Sequence, residues 1–78
     1  METNLYLSQG GSNLSRREVE VLELLLHSVS NKEIALSLKI CQKTVEEHLT
    51  SIYTKIGVRS RVGAVLWGVE QTRGFPHR

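Results

Sequence analysis

The pattern serine-x-x-glutamate occurs twice in this chain, as Ser15-Arg16-Arg17-Glu18 and as Ser30-Asn31-Lys32-Glu33. In such a box the serine oxygen accepts from the backbone amide three residues on, and the glutamate reaches back to the amide of the serine. Each box also carries the flanking pair of a hydrophobic staple, Leu14 with Val19 and Val29 with Ile34. Two helix starts are therefore fixed before any wider pattern is considered.

The apolar residues that follow recur at the helical period. Val19, Leu22, Leu25, Leu26 and Val29 form one stripe, which predicts a helix over 16–27. Ile34, Ala35 and Leu38 form the inner face of a second helix over 31–38. After the short turn Lys39-Ile40-Cys41, the stripe Val45, Leu49, Ile52 and Ile56 predicts a third helix over 42–56. Gly57 stands where a left-handed helix end belongs. Ser60 then caps a fourth helix, 61 to about 69, with Val62, Val65, Leu66 and Val69 on its packing side and Trp67 on the other, near Ala64 and Gln71. No strand pattern interrupts this order, so the fold class is all-α, a four-helix domain. Residues 1–13, with Gly10, Gly11, Ser12 and Asn13, read as a flexible leader: a linker to an upstream domain or a native tail. The domain spans 14–71, and 72–78, with Gly74 and Pro76, reads as a frayed end.

With 78 residues the chain holds one domain, too small for an elaborate buried pocket. Nothing in it pairs a nucleophile with a base or sets two carboxylates in a cleft, which argues against an enzyme. Ser15, Ser30 and Ser60 are accounted for as caps. Cys41 is the single cysteine, so no disulfide forms within the chain and a reducing compartment fits best. Cys41 with His27 or His48 supplies too few ligands for a metal, and no cofactor is expected. Apolar runs such as Leu24-Leu25-Leu26 are far too short for a membrane span. These features predict a cytoplasmic protein.

A short helix, a tight turn and a longer amphipathic helix make a helix-turn-helix, whose second helix fits the major groove. Opposite the apolar stripe of the third helix lie Lys43, Glu47, Thr50 and Thr54, flanked by Glu46 and Ser51. Between residues 39 and 61 five cations (Lys39, Lys43, Lys55, Arg59 and Arg61) face two carboxylates. Arg16, Arg17 and Lys32 add charge at the first two helix starts, where free amides already favour phosphate.

In order and spacing, several runs resemble the LuxR-type (GerE-like) helix-turn-helix family. They are Leu14-Ser15, Arg17-Glu18, Glu20-Val21-Leu22, Ser30-Asn31-Lys32-Glu33-Ile34-Ala35, Lys43-Thr44-Val45, His48 and Lys55-Ile56-Gly57-Val58-Arg59-Ser60-Arg61. The resemblance covers about two-thirds of the chain. It implies a regulator of bacterial transcription that binds double-stranded DNA as a homodimer, with the third helix in the major groove and the fourth near the partner subunit. It implies base reading by Glu46, Glu47 and Thr50, and backbone contacts by Lys43, Thr44 and Lys55, with Arg59 and Arg61 beside them. Trp67 and Ala64 are the candidate dimer contacts; the alternative for Trp67 is that it folds over the edge of its own domain. A contact with RNA polymerase stays open. Cys41 departs from the family, which usually has a small hydroxyl residue at that cap; Ser28 stands where a glycine commonly ends the first helix; and many relatives carry lysine at the position of Glu46. Since glutamate accepts from cytosine N4, the pair Glu46 and Glu47 is expected to read cytosine. The rival reading is a protein-interaction module that keeps the fold without binding DNA.

Overall fold

A computed structural model describes residues 13–27 and 29–73. The leader expected over 1–13, apart from Asn13, lies outside the described residues, as do Ser28 and the end beyond Arg73. Four helices follow in order: α1 (Arg16–Leu26), α2 (Asn31–Leu38), α3 (Gln42–Ile56) and α4 (Arg61–Arg73). There is no strand among the described residues.

The helix starts are built as their sequences require. The Ser15 hydroxyl accepts from the Glu18 amide at 3.1 Å, and the Ser15 amide donates to Glu18 Oε1 at 2.9 Å. The second box repeats this at 3.1 Å in both directions between Ser30 and Glu33. Leu14 and Val29, the outer halves of the two staples, pack against the core that holds Val19 and Ile34. Ser60 caps α4 through the amide of Gly63 at 3.1 Å.

Helix ends are equally explicit. Gly57 takes φ 78°, and the amides of Gly57 and Val58 both donate to the Tyr53 carbonyl, at 2.9 and 3.0 Å. At the end of α2 the same left-handed turn falls on a residue with a side chain, Lys39 at φ 60°. The Ile40 amide donates to Ala35 at 3.0 Å and the Lys39 amide to Leu36 at 3.4 Å, a Schellman closure that turns the chain from α2 into α3.

Val19, Val21, Leu22 and Leu25 of α1, Ile34 and Ala35 of α2, Val45, Leu49 and Ile52 of α3 and Ala64 of α4 form the core. Helix α1 touches all three others. That is why its buried arc is wider than a single stripe and takes in Val21, which the sequence pattern left out.

Helix α4 corrects the sequence reading in two ways. It continues to Arg73, past the expected end near 69. Its buried side is also not the one expected: of Val62, Val65, Leu66 and Val69, only Val65 packs against the core. Ala64 is fully buried, while Val62, Leu66 and Val69 are 67%, 61% and 43% exposed. The reason is close approach. A Cβ built on Gly68 would lie 2.7 Å from a Leu26 methyl, so α4 meets α1 through its small residues Ala64 and Gly68. The bulkier apolar residues on the opposite side are left to solvent. Ala64 is therefore not available as a dimer contact, and Trp67, half-buried, packs against its own core.

Candidate nucleic-acid interface

Helix α3 has two faces with different jobs. Val45, Leu49 and Ile52 fix one to the core. On the other, Lys43, Glu46, Glu47, Thr50 and Thr54 are all exposed. At about 1.5 Å per residue the helix is roughly 22 Å long, enough to lie across a groove about 12 Å wide.

Its start is loosely capped. Cys41 occupies the N-cap position and makes no side-chain capping bond. Its sulfur lies 3.2 Å from Thr44 Oγ1 instead. The Thr44 hydroxyl, together with the helix-start amides of Thr44 and Lys43, holds the exposed Cys41 thiol below its ordinary range. Thr44 itself is half-buried.

The hydroxyl groups of Thr50, Ser51 and Thr54 on α3 are committed internally. Thr50 Oγ1 donates to the Glu46 carbonyl and Thr54 Oγ1 to the Thr50 carbonyl, each at 3.0 Å. Ser51 Oγ donates to Glu18 Oε2 at 2.6 Å. Glu18 also receives the Lys55 ammonium at 2.8 Å and is 5% exposed. Burial pushes its carboxyl up, but the bonds from Lys55, Ser51 and the Ser15 backbone, with the charge of Lys55, outweigh this and bring it down to about 2. One carboxylate thus caps α1 and fastens α3 to it.

The cations divide into two groups. Lys43 and Arg59 are exposed. Lys55 is tied to Glu18 at its head, while its side chain remains 36% exposed. Arg61 is half-buried and turned inward: its guanidinium donates to the Val29 carbonyl at 2.6 Å and to Asn31 Oδ1 at 2.8 Å. It clamps the start of α4 to the segment entering α2. Two of the five N–H groups of Arg61, expected beside the phosphates, are thereby taken up within the fold. Among the candidate base readers, Glu46, Glu47 and Thr50 do share one open face.

Sequence reasoning missed the Glu18–Ser51–Lys55 cluster and the Arg61 clamp. Ser51 and Lys55 stand one turn apart beside the apolar stripe, and Glu18 stands beside the stripe of α1. Two polar flanks abutting two core stripes was the available clue. Among the described residues no group of three or more histidine, cysteine or acidic side chains could hold a metal ion. No helix there is long and apolar enough to cross a membrane.

Residues 12–67 match the family described as bacterial regulatory proteins, luxR family. The chain belongs to that family. It is 41% identical over 68 residues to the probable csgAB operon transcriptional regulatory protein of Salmonella typhimurium and to the CsgBAC operon transcriptional regulatory protein of Escherichia coli, covering 87% of this chain and 32% of each relative. It is 43% identical over 58 residues to the oxygen regulatory protein NreC of Staphylococcus aureus, covering 74% of this chain and 27% of the relative. The chain thus spans about a third of the length of these relatives. It is a DNA-binding domain of transcription regulation with an all-α helix-turn-helix fold.

Proposed function

We propose that α3 enters the major groove of double-stranded DNA, with Glu46, Glu47 and Thr50 toward the base edges and Lys43, Thr44, Arg59 and Lys55 along the phosphates. The observation that carries this is the open outer face of α3, a polar surface on the second helix of the helix-turn-helix. Carboxylates accept, so Glu46 and Glu47 suit the amino groups of cytosine and adenine and repel guanine's acceptors. They also weaken attachment to the backbone, which penalises wrong sites.

The same reading has two copies bind one operator in the cytoplasm, as the output part of a longer regulator. Val62, Leu66 and Val69 lie on one side of α4, exposed, apolar and uncharged. A helix face of this kind is self-complementary under two-fold symmetry, so its occupant is the same face of a second copy. This replaces Trp67 and Ala64 as the dimer contact.

Selection of bound sequences from a randomised duplex pool tests both parts. The expected result is an enriched inverted repeat. Glu46→Gln with Glu47→Gln then changes relative affinities among sites, and Leu66→Glu reduces the repeat to single half-sites while the circular dichroism spectrum stays helical. Unchanged site preferences in the glutamine variant would sink the base-reading assignment. An intact repeat preference in Leu66→Glu would sink the α4 pairing.

A further inference from the structure

We infer that Thr50 and Thr54 select thymine through their methyl groups. The inference rests on the placement of α3 in the major groove and adds the chemistry by which its outer face discriminates.

A threonine hydroxyl carries one proton. In Thr50 that proton goes to the Glu46 carbonyl, and in Thr54 to the Thr50 carbonyl, each at 3.0 Å. Both side chains are exposed, yet neither has a proton left to offer a base. With the oxygen turned back onto its own helix, the methyl is the group that remains to meet a partner. Ser51, which flanks the same face, has given its proton to Glu18 at 2.6 Å. The set Glu46, Glu47, Thr50 and Thr54 therefore offers carboxylate oxygens and methyl groups, and no free hydroxyl proton.

In the major groove guanine shows only acceptors, whereas thymine shows a 5-methyl group that packs against threonine methyls. Thr50 and Thr54 are one helical turn apart, about 6 Å along the axis. That is close to two base steps of roughly 3.4 Å each. Two methyls at this spacing fit two 5-methyl groups on next-neighbouring pairs, with Glu47, one turn before Thr50, reaching an amino group. The ligand class is a 5-methylpyrimidine, read by apolar contact.

The test uses the full chain and the duplex enriched from the randomised pool, compared with the same duplex carrying uracil at single thymine positions. Uracil removes the methyl and leaves pairing intact. For the wild type, affinity falls about fourfold at each contacted thymine, the factor expected for losing one buried methyl-sized group. Thr50→Ser keeps the backbone bond and removes the methyl; it binds thymine and uracil equally at one position. Thr54→Ser does so at the other. Thr50→Val, which keeps methyl groups and loses the hydroxyl, retains the thymine preference. A wild type indifferent to uracil at every position, a serine variant that keeps the preference, or an enriched site lacking thymine overturns the inference while leaving α3 in the groove. A pool that yields no enriched sequence overturns the groove placement as well. The uracil arm changes only the DNA, so it does not depend on how any variant folds.

Discussion

Replacing Glu18 with glutamine removes one charge and almost no volume from the most connected polar group of the domain. The Glu18 carboxylate is 5% exposed and accepts from Ser51 at 2.6 Å, Lys55 at 2.8 Å and the Ser15 amide at 2.9 Å. These bonds bring its pKa from 4.5 to about 2 despite burial. One unit corresponds to about 1.4 kcal/mol, so the shift sets a ceiling of roughly 3 kcal/mol on what ionisation contributes to stability. Lys55 stays 36% exposed and can turn to water when its partner is lost, which lowers the cost of Glu18→Gln to about 2 kcal/mol at neutral pH. In a domain of this size that lowers the midpoint of thermal unfolding by about 10 °C.

The pH dependence separates the charge from the shape. A carboxylate with a depressed folded pKa stabilises above its unfolded value and loses this as pH falls through the folded one. The gap between wild type and Glu18→Gln is therefore full above pH 5 and shrinks between about pH 4.5 and 2, reaching roughly a quarter of its neutral value near pH 2.5. Urea unfolding of both proteins across this range is the assay. A gap that stays constant from pH 6 to pH 2.5 would refute the reasoning, since the loss would then come from packing or capping alone.

Other positions give simpler outcomes. Lys39→Gly relieves a left-handed backbone at φ 60° and raises stability by about 1 kcal/mol in urea unfolding. Cys41→Ser supplies the missing cap of α3 and raises the thermal midpoint by a few degrees. Arg61→Ala frees the Val29 carbonyl and Asn31, and costs about 1 to 3 kcal/mol of stability. The salt dependence of DNA binding stays the same in that variant, measured below its melting point.

The elements written in local chemistry were legible in the sequence. Serine and glutamate three apart define a helix start wherever they fall, and Gly57 can close a helix in a left-handed turn, so α2 and α3 have their expected bounds. Phase in α4 was not legible. Val62, Val65, Leu66 and Val69 make a good apolar stripe, and nothing local says that Ala64 and Gly68 fit closer to α1. Only the Leu26 side chain, supplied by a distant helix, decides it. The open face of α3 could be read because it is the complement of a clear core stripe. The division of cations into exposed and inward-turned could not, because Lys55 and Arg61 find partners 37 and 30 residues away. The lysine in the left-handed turn was hidden for a related reason, since glycine is the residue that announces such a turn.

DNA held by the outer face of α3 and its cation rim has a readout in salt. The most direct measurement is a fluorescence anisotropy titration of the wild type and Lys43→Ala on one duplex, from about 50 to about 200 mM salt. Each phosphate contact adds nearly one unit to the log–log slope. A steep negative slope is expected for the wild type, and a slope shallower by about one for Lys43→Ala. A wild type that binds without salt dependence, or a Lys43→Ala slope equal to that of the wild type, would contradict it.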